Sequence, residues 1–350
     1  MTYPRKFSMP KTILSLAAFL VALTVFSGIA RGAAPFYEGK VIRIIVGLSP
    51  GGGYDAYARL IARHMGRHIP GNPTIIVENM TGAGSLIAAN HLYRVAKPDG
   101  LTIGHFIGNL FFNQLMKQPG VEFDARRFEF LGAANKEEAV FAFSKKSGIT
   151  SIETWVASKR PVKLAGQAPG AAPDNAIRIA KVALGLPIQI VSGYKATPEL
   201  RLAVEGGEVD GTSFAWSSMR TTWRKSLESG DVVPVLQAVP KAFPDLPKVP
   251  LAISLARTEG ARQLIEVGLH KSGVFSRPFV LPPGTPKERV EALAKAFQET
   301  LTGDKEFLGE AEKAKLDIDF VTAEELRKAV FGIFDFDPAF VAELEKVLYK

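Results

Sequence analysis

The chain has 350 residues, of which 47% are hydrophobic and 22% are charged. This length and composition predict two domains with buried cores and exclude a disordered chain. There is no cysteine, which excludes disulfides, cysteine-ligated zinc, iron–sulfur clusters and a thiol nucleophile. Four of the 43 basic residues and none of the 35 acidic residues lie in residues 1–34, so the net charge falls from +8 to +4 beyond them. That small, dispersed excess does not indicate a nucleic-acid partner.

The first 34 residues have the layout of a cleavable export signal. Arg5, Lys6 and Lys11 precede the apolar run Ile13–Phe26, which is shorter than the about 20 residues that span a membrane. Small residues follow as far as Ala34, near which we expect cleavage. The alternative is a single membrane anchor. No later run approaches the length of a membrane span, so the mature chain is expected to be soluble.

The mature sequence begins with alternating strands and helices. Val41–Gly47 is almost entirely apolar, as expected of a strand buried on both faces of a parallel sheet. Thr74–Val77 and Leu101–Phe106 are predicted to be the next two strands. Apolar residues at helical spacing predict intervening helices over Asp55–His68 and Ser85–Ala96. Strands that start about 30 residues apart are typical of βαβ units.

A second round of the same kind follows a strand at Phe130–Ala134. Its predicted strands and helices, in chain order, are Val162–Ala165, Asn175–Leu184, Ile188–Val191, Pro198–Val204 and Val209–Phe214. Residues 239–286 are rich in proline and are predicted to be mostly extended connection. Thr285 and Thr322 each begin a capping-box motif, which predicts the start of a helix. The whole pattern predicts an α/β fold with two doubly wound lobes.

Two glycine-rich loops, each between a strand and a helix, indicate a binding site. Ser49–Asp55 reads Ser-Pro-Gly-Gly-Gly-Tyr-Asp, and Asn79–Ser85 reads Asn-Met-Thr-Gly-Ala-Gly-Ser. Glycines let backbone N–H groups converge, and the start of a helix favours an anion. Both loops follow the carboxyl ends of strands, where doubly wound sheets bind ligands. The alternative is that they are tight turns only, with Asp55 as a helix cap.

The sequence carries one enzyme motif, and it is defective. Residues 47–51 read Gly-Leu-Ser-Pro-Gly and match the Gly-x-Ser-x-Gly motif of serine hydrolases. Pro50 follows the serine and has no backbone N–H to donate to the oxyanion. Losing one such donor typically costs about a hundredfold or more in rate. We therefore expect no catalytic residue, and an exported serine hydrolase is the disfavoured alternative.

Cofactor and metal motifs are also incomplete. No lysine follows the first glycine loop, and a third small residue is missing from the second, so neither nucleotide-binding motif is present. His64 and His68 lie four residues apart on the first helix and could bind a metal from one face. Arg63 and Arg67 surround them, so we interpret this as an exposed basic face. We expect no metal and no cofactor.

The motifs, taken in order, resemble those of the Bug-type substrate-binding proteins of tripartite tricarboxylate transporters. The resemblance covers residues 36–330. The matching segments are Val41–Val46, Pro50–Asp55 with Ala58–Leu60, Val77–Gly84, Lys97–Gly100, Tyr194–Lys195, Glu205–Asp210, Phe243–Pro247 and Pro283–Glu288. Each segment alone is a modest match, but their joint order is specific.

The resemblance implies a two-lobed periplasmic binding protein joined by a hinge, of the type II, Venus-flytrap kind. Such a protein closes on a small organic carboxylate, passes it to the permease subunits of a membrane transporter and performs no chemistry. We expect a monomer without a nucleic-acid partner. Lobe one is predicted to comprise residues 35–134 and 273–350, and lobe two residues 135–272. A sensor's extracytoplasmic partner without a transport role remains an alternative, which a neighbouring permease gene would distinguish.

The family's carboxylate position corresponds to the first glycine loop and to Gly166–Asp174, which opens the first helix of lobe two. The expected ligand-binding residues are Ser49, Gly51, Gly52, Gly53, Tyr54, Asp55, Gly82, Ala83, Gly84, Ser85, Asn109, Gln167, Gly170, Asp174, Tyr194, Lys195, Ser213 and Phe214. Asp174 would repel a second carboxylate unless it points away as a helix cap.

Aromatic residues bear on the rest of the ligand. Tyr54, Tyr194, Phe214 and Trp216 lie in or beside loops that should line the cleft, and flat side chains can stack on a ring. The alternative is that they pack in the core or at the rim. We expect a ligand with one carboxylate on the first loop and a less charged remainder, for which an aromatic ring is the minority interpretation.

Overall fold

The computed structural model describes residues 1–4, 35–136 and 139–349. The predicted export signal lies outside the described residues except for its first few positions. No helix in the described ranges is both long and apolar enough to cross a membrane. The strands, β1 to β11 in chain order, are Val41–Val46, Thr74–Asn79, Thr102–His105, Glu129–Ala133, Ala139–Ser144, Val162–Ala165, Ile188–Val191, Gly211–Ala215, Val232–Ala238, Pro278–Leu281 and Val321–Thr322.

Helices lie between these strands and after them. The helices, α1 to α14 in chain order, are Gly53–Met65, Leu86–Arg94, Leu110–Leu115, Ile152–Val156, Ala172–Leu184, Thr197–Glu205, Trp216–Thr222, Arg224–Glu228, Ala252–Leu255, Glu259–Ile265, Lys287–Gly303, Lys305–Lys313, Ala323–Gly332 and Pro338–Tyr349. A π-helical turn, Glu266–Lys271, continues directly from α10.

The strands form two mixed sheets with the same internal order. The six-stranded sheet runs β2-β1-β3-β10-β4-β11, and the five-stranded sheet runs β7-β6-β8-β5-β9. β1 is parallel to β2 and β3, whereas β10 is antiparallel to β3 and β4. In the second sheet β6 is parallel to β7 and β8, whereas β5 is antiparallel to β8 and β9. We call these sheets with their packed helices the first and second lobes; the predicted two-lobed α/β fold is confirmed.

The proline-rich stretch differs from its prediction. Its prolines before residue 251 lie in irregular connection, but residues 251–277 contain no proline and form α9, α10 and the π-helical turn. β10 then adds a strand to the first sheet. The prediction of a mostly extended connection over 239–286 is therefore wrong, because the prolines mark the ends of this stretch and leave its centre free to form helices.

One of the two predicted capping boxes forms. Thr322 Oγ1 accepts the backbone N–H of Glu325 at 3.1 Å, and the Glu325 carboxylate accepts the backbone N–H of Thr322 at 3.0 Å. Thr285 instead donates its hydroxyl to the Pro282 carbonyl at 2.8 Å. Pro286 keeps an extended ψ of 133°, so α11 starts one residue late and has no side-chain cap.

The last helix links the two lobes. α14 follows α13 of the first lobe but packs against α5 of the second. Its Leu344 lies in one apolar cluster with Phe106 beside the first sheet and Phe141 on the second. Tyr349, at its end, donates its hydroxyl to Asn113 Oδ1 on α3 at 2.5 Å. The apolar core is therefore continuous across the junction between the lobes.

Candidate functional site

The first glycine loop, Ser49–Asp55, leads from β1 into the first turn of α1. Gly51 has a φ of +81°, which favours glycine, whereas Gly52 has an extended φ of −89°. The Gly51 N–H donates to Asp55 Oδ2 at 2.9 Å, and Arg59 Nε donates to the same oxygen at 2.9 Å. Asp55 therefore holds the loop closed on its own helix. Ser49 is half-buried at the outer part of the loop.

Asp55 also joins this loop to the second one. Asn79 Nδ2 donates to Asp55 Oδ1 at 3.0 Å and to the Leu48 carbonyl at 2.8 Å. Burial raises the pKa of Asp55, but the hydrogen bonds from Arg59, Gly51 and Asn79 outweigh it and leave the pKa below its usual value. Asp55 is therefore ionised at neutral pH and is committed to holding the two loops together.

The second glycine loop has an unusual backbone. Gly82, Ala83, Gly84 and Ser85 all have positive φ, including two residues that are not glycine. Ser85 is fully buried; its hydroxyl donates to the Gly47 carbonyl and accepts the Ile107 N–H, each at 3.3 Å. Ser85 therefore ties together the loops that follow β1, β2 and β3.

Both glycine loops contact the second lobe. A Cβ built on Gly52 would lie 3.5 Å from Thr197 Oγ1 and 3.7 Å from Pro198, at the start of α6. A Cβ on Gly84 would lie 3.4 Å from the Cβ of Ala168. Side chains at these two positions would therefore occupy the contact between the lobes.

Gly53 approaches the second lobe most closely. A Cβ there would lie 1.9 Å from Ser218 Oγ and 2.9 Å from Ser218 Cβ on α7. Real Cβ atoms do not come this near to other heavy atoms, so α1 can approach α7 in this way only with glycine at position 53.

The facing surface of the second lobe is built from two hydrogen-bonded loops. Gly193 N donates to the Gln167 carbonyl at 2.7 Å, and Gln167 Nε2 donates to the Lys195 carbonyl at 3.4 Å. Lys195 itself is exposed. A Cβ on Gly170, whose φ is +86°, would lie 2.5 Å from both the Asn113 amide oxygen and the Tyr349 hydroxyl. The loop of lobe two thus also packs against α3 and the last helix.

Asp174 lies inside the second lobe. It is fully buried, and its Oδ1 accepts the Ser192 hydroxyl at 2.5 Å. A Cβ on Gly166 would lie 2.3 Å from its carboxylate. Burial raises the pKa of Asp174, and the hydrogen bonds from Ser192 and the Gln167 backbone only partly oppose this. The carboxyl group therefore joins the two loops of this lobe.

Residues before β10 complete the junction, and the sequence analysis missed them. Phe279 of β10 pairs with His105 of antiparallel β3, so Ser276 and Arg277 lie beyond the carboxyl end of β3. The Ser276 hydroxyl donates to Asn109 Oδ1 at 3.0 Å. Arg277 is 2% exposed and donates from Nη2 to Ser218 Oγ of the second lobe at 2.8 Å. The signal in the sequence was the polar pair Ser276–Arg277 directly before a strand. It could be used only if β10 had been predicted, and it was not.

A small cavity lies between these groups. Its volume is about 20 Å³, enough for about one water molecule. Its lining includes Asn109 and Ser276 of the first lobe with Ala172, Ala176 and Phe214 of the second. Small-molecule sites commonly occupy about 300–1,000 Å³. This cavity is therefore too small to hold an organic acid.

The predicted aromatic residues are occupied by protein partners. The Tyr54 hydroxyl donates to the Ser276 carbonyl, and the Arg277 guanidinium lies 4.5 Å from the centre of its ring. Phe214 stacks on Trp223 with ring centres 5.8 Å apart, and Trp216 donates its indole N–H to Asp245 at 3.0 Å.

Two further residues predicted to bind the ligand, Tyr194 and Ser213, also contact or lie within the second lobe. The Tyr194 hydroxyl donates to Glu208 at 2.6 Å, and burial together with Glu208 raises the pKa of Tyr194 to about 12. Ser213 is fully buried within β8. In this structure the rings of these aromatic residues therefore pack against other residues of the protein, and Phe214 also lines the interlobe cavity.

His64 of α1 is buried, so the interpretation of an exposed basic face is wrong for it, and His68 lies half-buried in the turn that follows α1. His64 is 3% exposed, and its Nδ1 lies 2.6 Å from Arg67 Nη2, which must donate to it. His68 Nε2 lies 2.9 Å from Asp304 Oδ2. His64, Asp304 and Glu306 are close enough together to bind a metal ion, and the Arg67 guanidinium contacts one of the two ring nitrogens of His64. The cluster therefore acts as a charged contact between α1 and α12.

Comparison with known proteins gives the same architecture. A solved structure of the periplasmic binding protein BugD matches 89% of this chain and 98% of its own, with a TM-score of 0.71 and 21% identity. The chain has the fold of the Bug-type periplasmic binding proteins. The resemblance inferred from the sequence is confirmed at this level. No family model matches the chain.

Two further solved structures share the fold and have ligands. MatC from Rhodopseudomonas palustris, with bound malate, matches 88% of this chain and 99% of its own, with a TM-score of 0.68 and 18% identity. An R. palustris protein with adipate matches 88% and 96%, with a TM-score of 0.69 and 20% identity. Malate and adipate are both small organic carboxylates.

Curated relatives match at the sequence level. A UPF0065 protein of Bordetella bronchiseptica is 25% identical over 56% of this chain, and the match spans 57% of that relative's length. A UPF0065 protein of Cupriavidus necator is 23% identical over 82% of each chain.

Proposed function

We propose that the chain is a periplasmic solute-binding protein that captures a small organic carboxylate between its lobes. It delivers this ligand to the permease subunits of a tripartite tricarboxylate-type transporter. The observation that carries the proposal is the convergence of both glycine loops on the second lobe, where Gly52 faces Pro198 and Gly84 faces Ala168. The malate and adipate seen with two proteins of the same fold support the ligand class.

Helix starts give this junction its preference for an anion. α1 begins at Gly53 in the first lobe, and α5 and α6 begin at Ala172 and Thr197 in the second. The first N–H groups of a helix have no partner within it, and the helix dipole makes that end positive. The buried Arg277 adds a guanidinium at the same place. One carboxylate is therefore held mainly by backbone N–H groups of the first loop.

The rest of the ligand is less restricted than the sequence suggested. Asp174 is buried inside the second lobe with its Oδ1 bonded to the Ser192 hydroxyl, and we infer that it does not contact a second carboxylate of the ligand. The rings of Tyr54, Phe214 and Trp216 already have protein partners. We therefore infer a short aliphatic mono- or dicarboxylate and no requirement for an aromatic ring.

The remaining parts of the proposal concern chemistry, location and organisation. We infer that the chain is not an enzyme, because Pro50 follows Ser49 and has no backbone N–H to donate to an oxyanion. Residues 1–34 direct export to the periplasm, where the protein acts as a monomer. The first lobe comprises residues 35–134 and 273–350 and the second residues 135–272, with α14 attached to the second lobe by its packing on α5.

A thermal-shift screen against C4–C6 dicarboxylates, short monocarboxylates and uncharged sugars tests the proposal. A ligand at 100 times its Kd stabilises the protein by about 2.7 kcal/mol, which raises the melting temperature measurably. We expect at least one acid, and no sugar, to do so. Stabilisation by a sugar alone would contradict the ligand class. Hydrolysis of an activated ester that is lost in Ser49→Ala would contradict the absence of enzymatic activity.

A further inference from the structure

A second concave surface lies apart from the glycine loops. This groove has a volume of about 530 Å³ and lies between α13 and the π-helical turn. None of the proposed ligand-binding residues lines it. Its apolar lining includes Phe112, Val267, Val274, Val321 and Ile333. The volume is within the range of about 300–1,000 Å³ that is usual for small-molecule sites.

The rim of this groove is positively charged. Lys136, Lys271 and Lys328 line it and are exposed. Lys136 Nζ pairs with Asp319 at 3.2 Å, whereas Lys271 and Lys328 form no ion pair within the described part of the chain. Glu325 is the acidic residue of the lining, and the Thr322 N–H and hydroxyl already donate to its carboxylate. Two ammonium groups therefore remain for an anion.

The groove brings together parts of both lobes. Val321 belongs to β11 of the first sheet, and Ile333 follows α13. Val267 and Lys271 lie on the π-helical turn, which packs against α5 of the second lobe. π-Helical turns occur frequently at functional sites. A molecule in this groove would contact both lobes outside the cleft.

We propose that this groove is a second ligand site, for an amphipathic monocarboxylate. Its hydrocarbon chain lies on the apolar lining, and its carboxylate meets Lys271 and Lys328 at the rim. The burial of hydrocarbon supplies affinity, and the lysines select an anion over a neutral analogue. A compact, fully charged acid would leave the apolar lining unused.

Octanoate and 1-octanol form the matched pair of probes. Methyl NMR of the purified protein reports each site separately, with Ile333 and Val267 in the groove and Ile107 beside the second glycine loop. We expect octanoate to shift the Ile333 and Val267 signals saturably, and 1-octanol to bind at least tenfold more weakly. Shifts confined to Ile107, or equal binding of 1-octanol, would overturn the proposal.

Variants test the two halves of the groove. Lys271→Glu with Lys328→Glu should weaken octanoate at least tenfold. The control, Lys295→Glu with Lys313→Glu, makes the same charge change on exposed faces of α11 and α12 and should not. Gly332→Trp adds apolar bulk where a Cβ meets no atom within 4 Å, so the fold should persist while octanoate binding is lost. Unchanged affinity in both groove variants would overturn the proposal.

Discussion

His105 shows how tightly the carboxyl edge of the first sheet is packed. It is fully buried; its Nδ1 lies 3.0 Å from the Pro278 carbonyl, and its ring stacks on Phe279 with centres 4.0 Å apart. Burial lowers the pKa of His105 to about 3, and the nearby Arg277 charge acts in the same direction. The imidazole is therefore neutral in the folded protein at all physiological pH values.

This burial predicts a loss of stability in mild acid. Between about pH 3 and the ordinary histidine pKa of about 6.5, the unfolded chain binds a proton that the folded chain does not. Stability therefore falls as the pH is lowered, by about 2 kcal/mol from this residue between pH 7 and pH 5. Urea unfolding of His105→Phe should lack that part of the slope. His91→Gln, the control on α2, should keep it, and equal slopes in the two variants would contradict the assignment.

At the residue scale, local sequence patterns predicted the two glycine loops but not the residues of the second lobe that contact them. The glycine runs were visible in the sequence, and the structure places Gly52, Gly53 and Gly84 against the second lobe. The burial of Asp174 depends on Ser192, eighteen positions away, and on the absence of a side chain at Gly166. Such tertiary contacts leave no periodic signal along the chain.

At the scale of elements, the contact between α1 and α7 decides how the lobes close. Gly53→Ala would place a Cβ 2.9 Å from Ser218 Cβ, so rotation of the serine hydroxyl cannot remove the clash. The helices must separate, and affinity for a cleft ligand should fall at least tenfold, or about 1.4 kcal/mol. Calorimetric titration with an acid identified by the thermal-shift screen measures this loss.

Two companion variants make that experiment decisive. Gly53→Ala combined with Ser218→Gly removes the obstructing atoms and should recover most of the affinity. Gly309→Ala, on α12, adds a Cβ that meets no atom within 4 Å and should leave binding unchanged. Equal affinity in Gly53→Ala and Gly309→Ala would show that close approach of these helices is not needed for binding.

The sequence predicted strands correctly where strand and helix patterns alternate clearly along the chain, and it missed strands elsewhere. β6 and β7 form at the predicted residues. β5 is a short run that is apolar except for Ser144 at its end, and periodicity cannot distinguish such a run from a buried helix. β9 contains Pro234, which argues against a central strand; the structure places β9 at an edge of its sheet, where proline is tolerated. β5 pairs antiparallel with both β8 and β9, so the two missed strands form the antiparallel side of the second sheet.

For the whole molecule, the last helix, α14, holds the two lobes together because it packs on α5 and bonds to α3. The Tyr349 hydroxyl holds its end to Asn113, a residue that is 6% exposed. Tyr349→Phe leaves that buried amide oxygen without this donor and should lower the free energy of unfolding by about 1–3 kcal/mol. The control, Tyr93→Phe, removes an exposed hydroxyl contact to Arg127 and should cost less than about 0.5 kcal/mol. If urea unfolding shows equal losses of unfolding free energy in the two variants, the Tyr349 hydroxyl does not hold α14 to the first lobe.

The central claim is that a carboxylate is held where the two lobes meet. Calorimetric titration of the intact protein with an acid from the screen, and with the corresponding primary amide, tests it most directly. The amide keeps the shape of the acid but removes the negative charge that the helix starts and Arg277 favour. We predict saturable binding of the acid at one cleft site and at least a hundredfold weaker binding of the amide. Equal binding of the two, or binding of an uncharged sugar or a cation in place of any acid, would contradict the account.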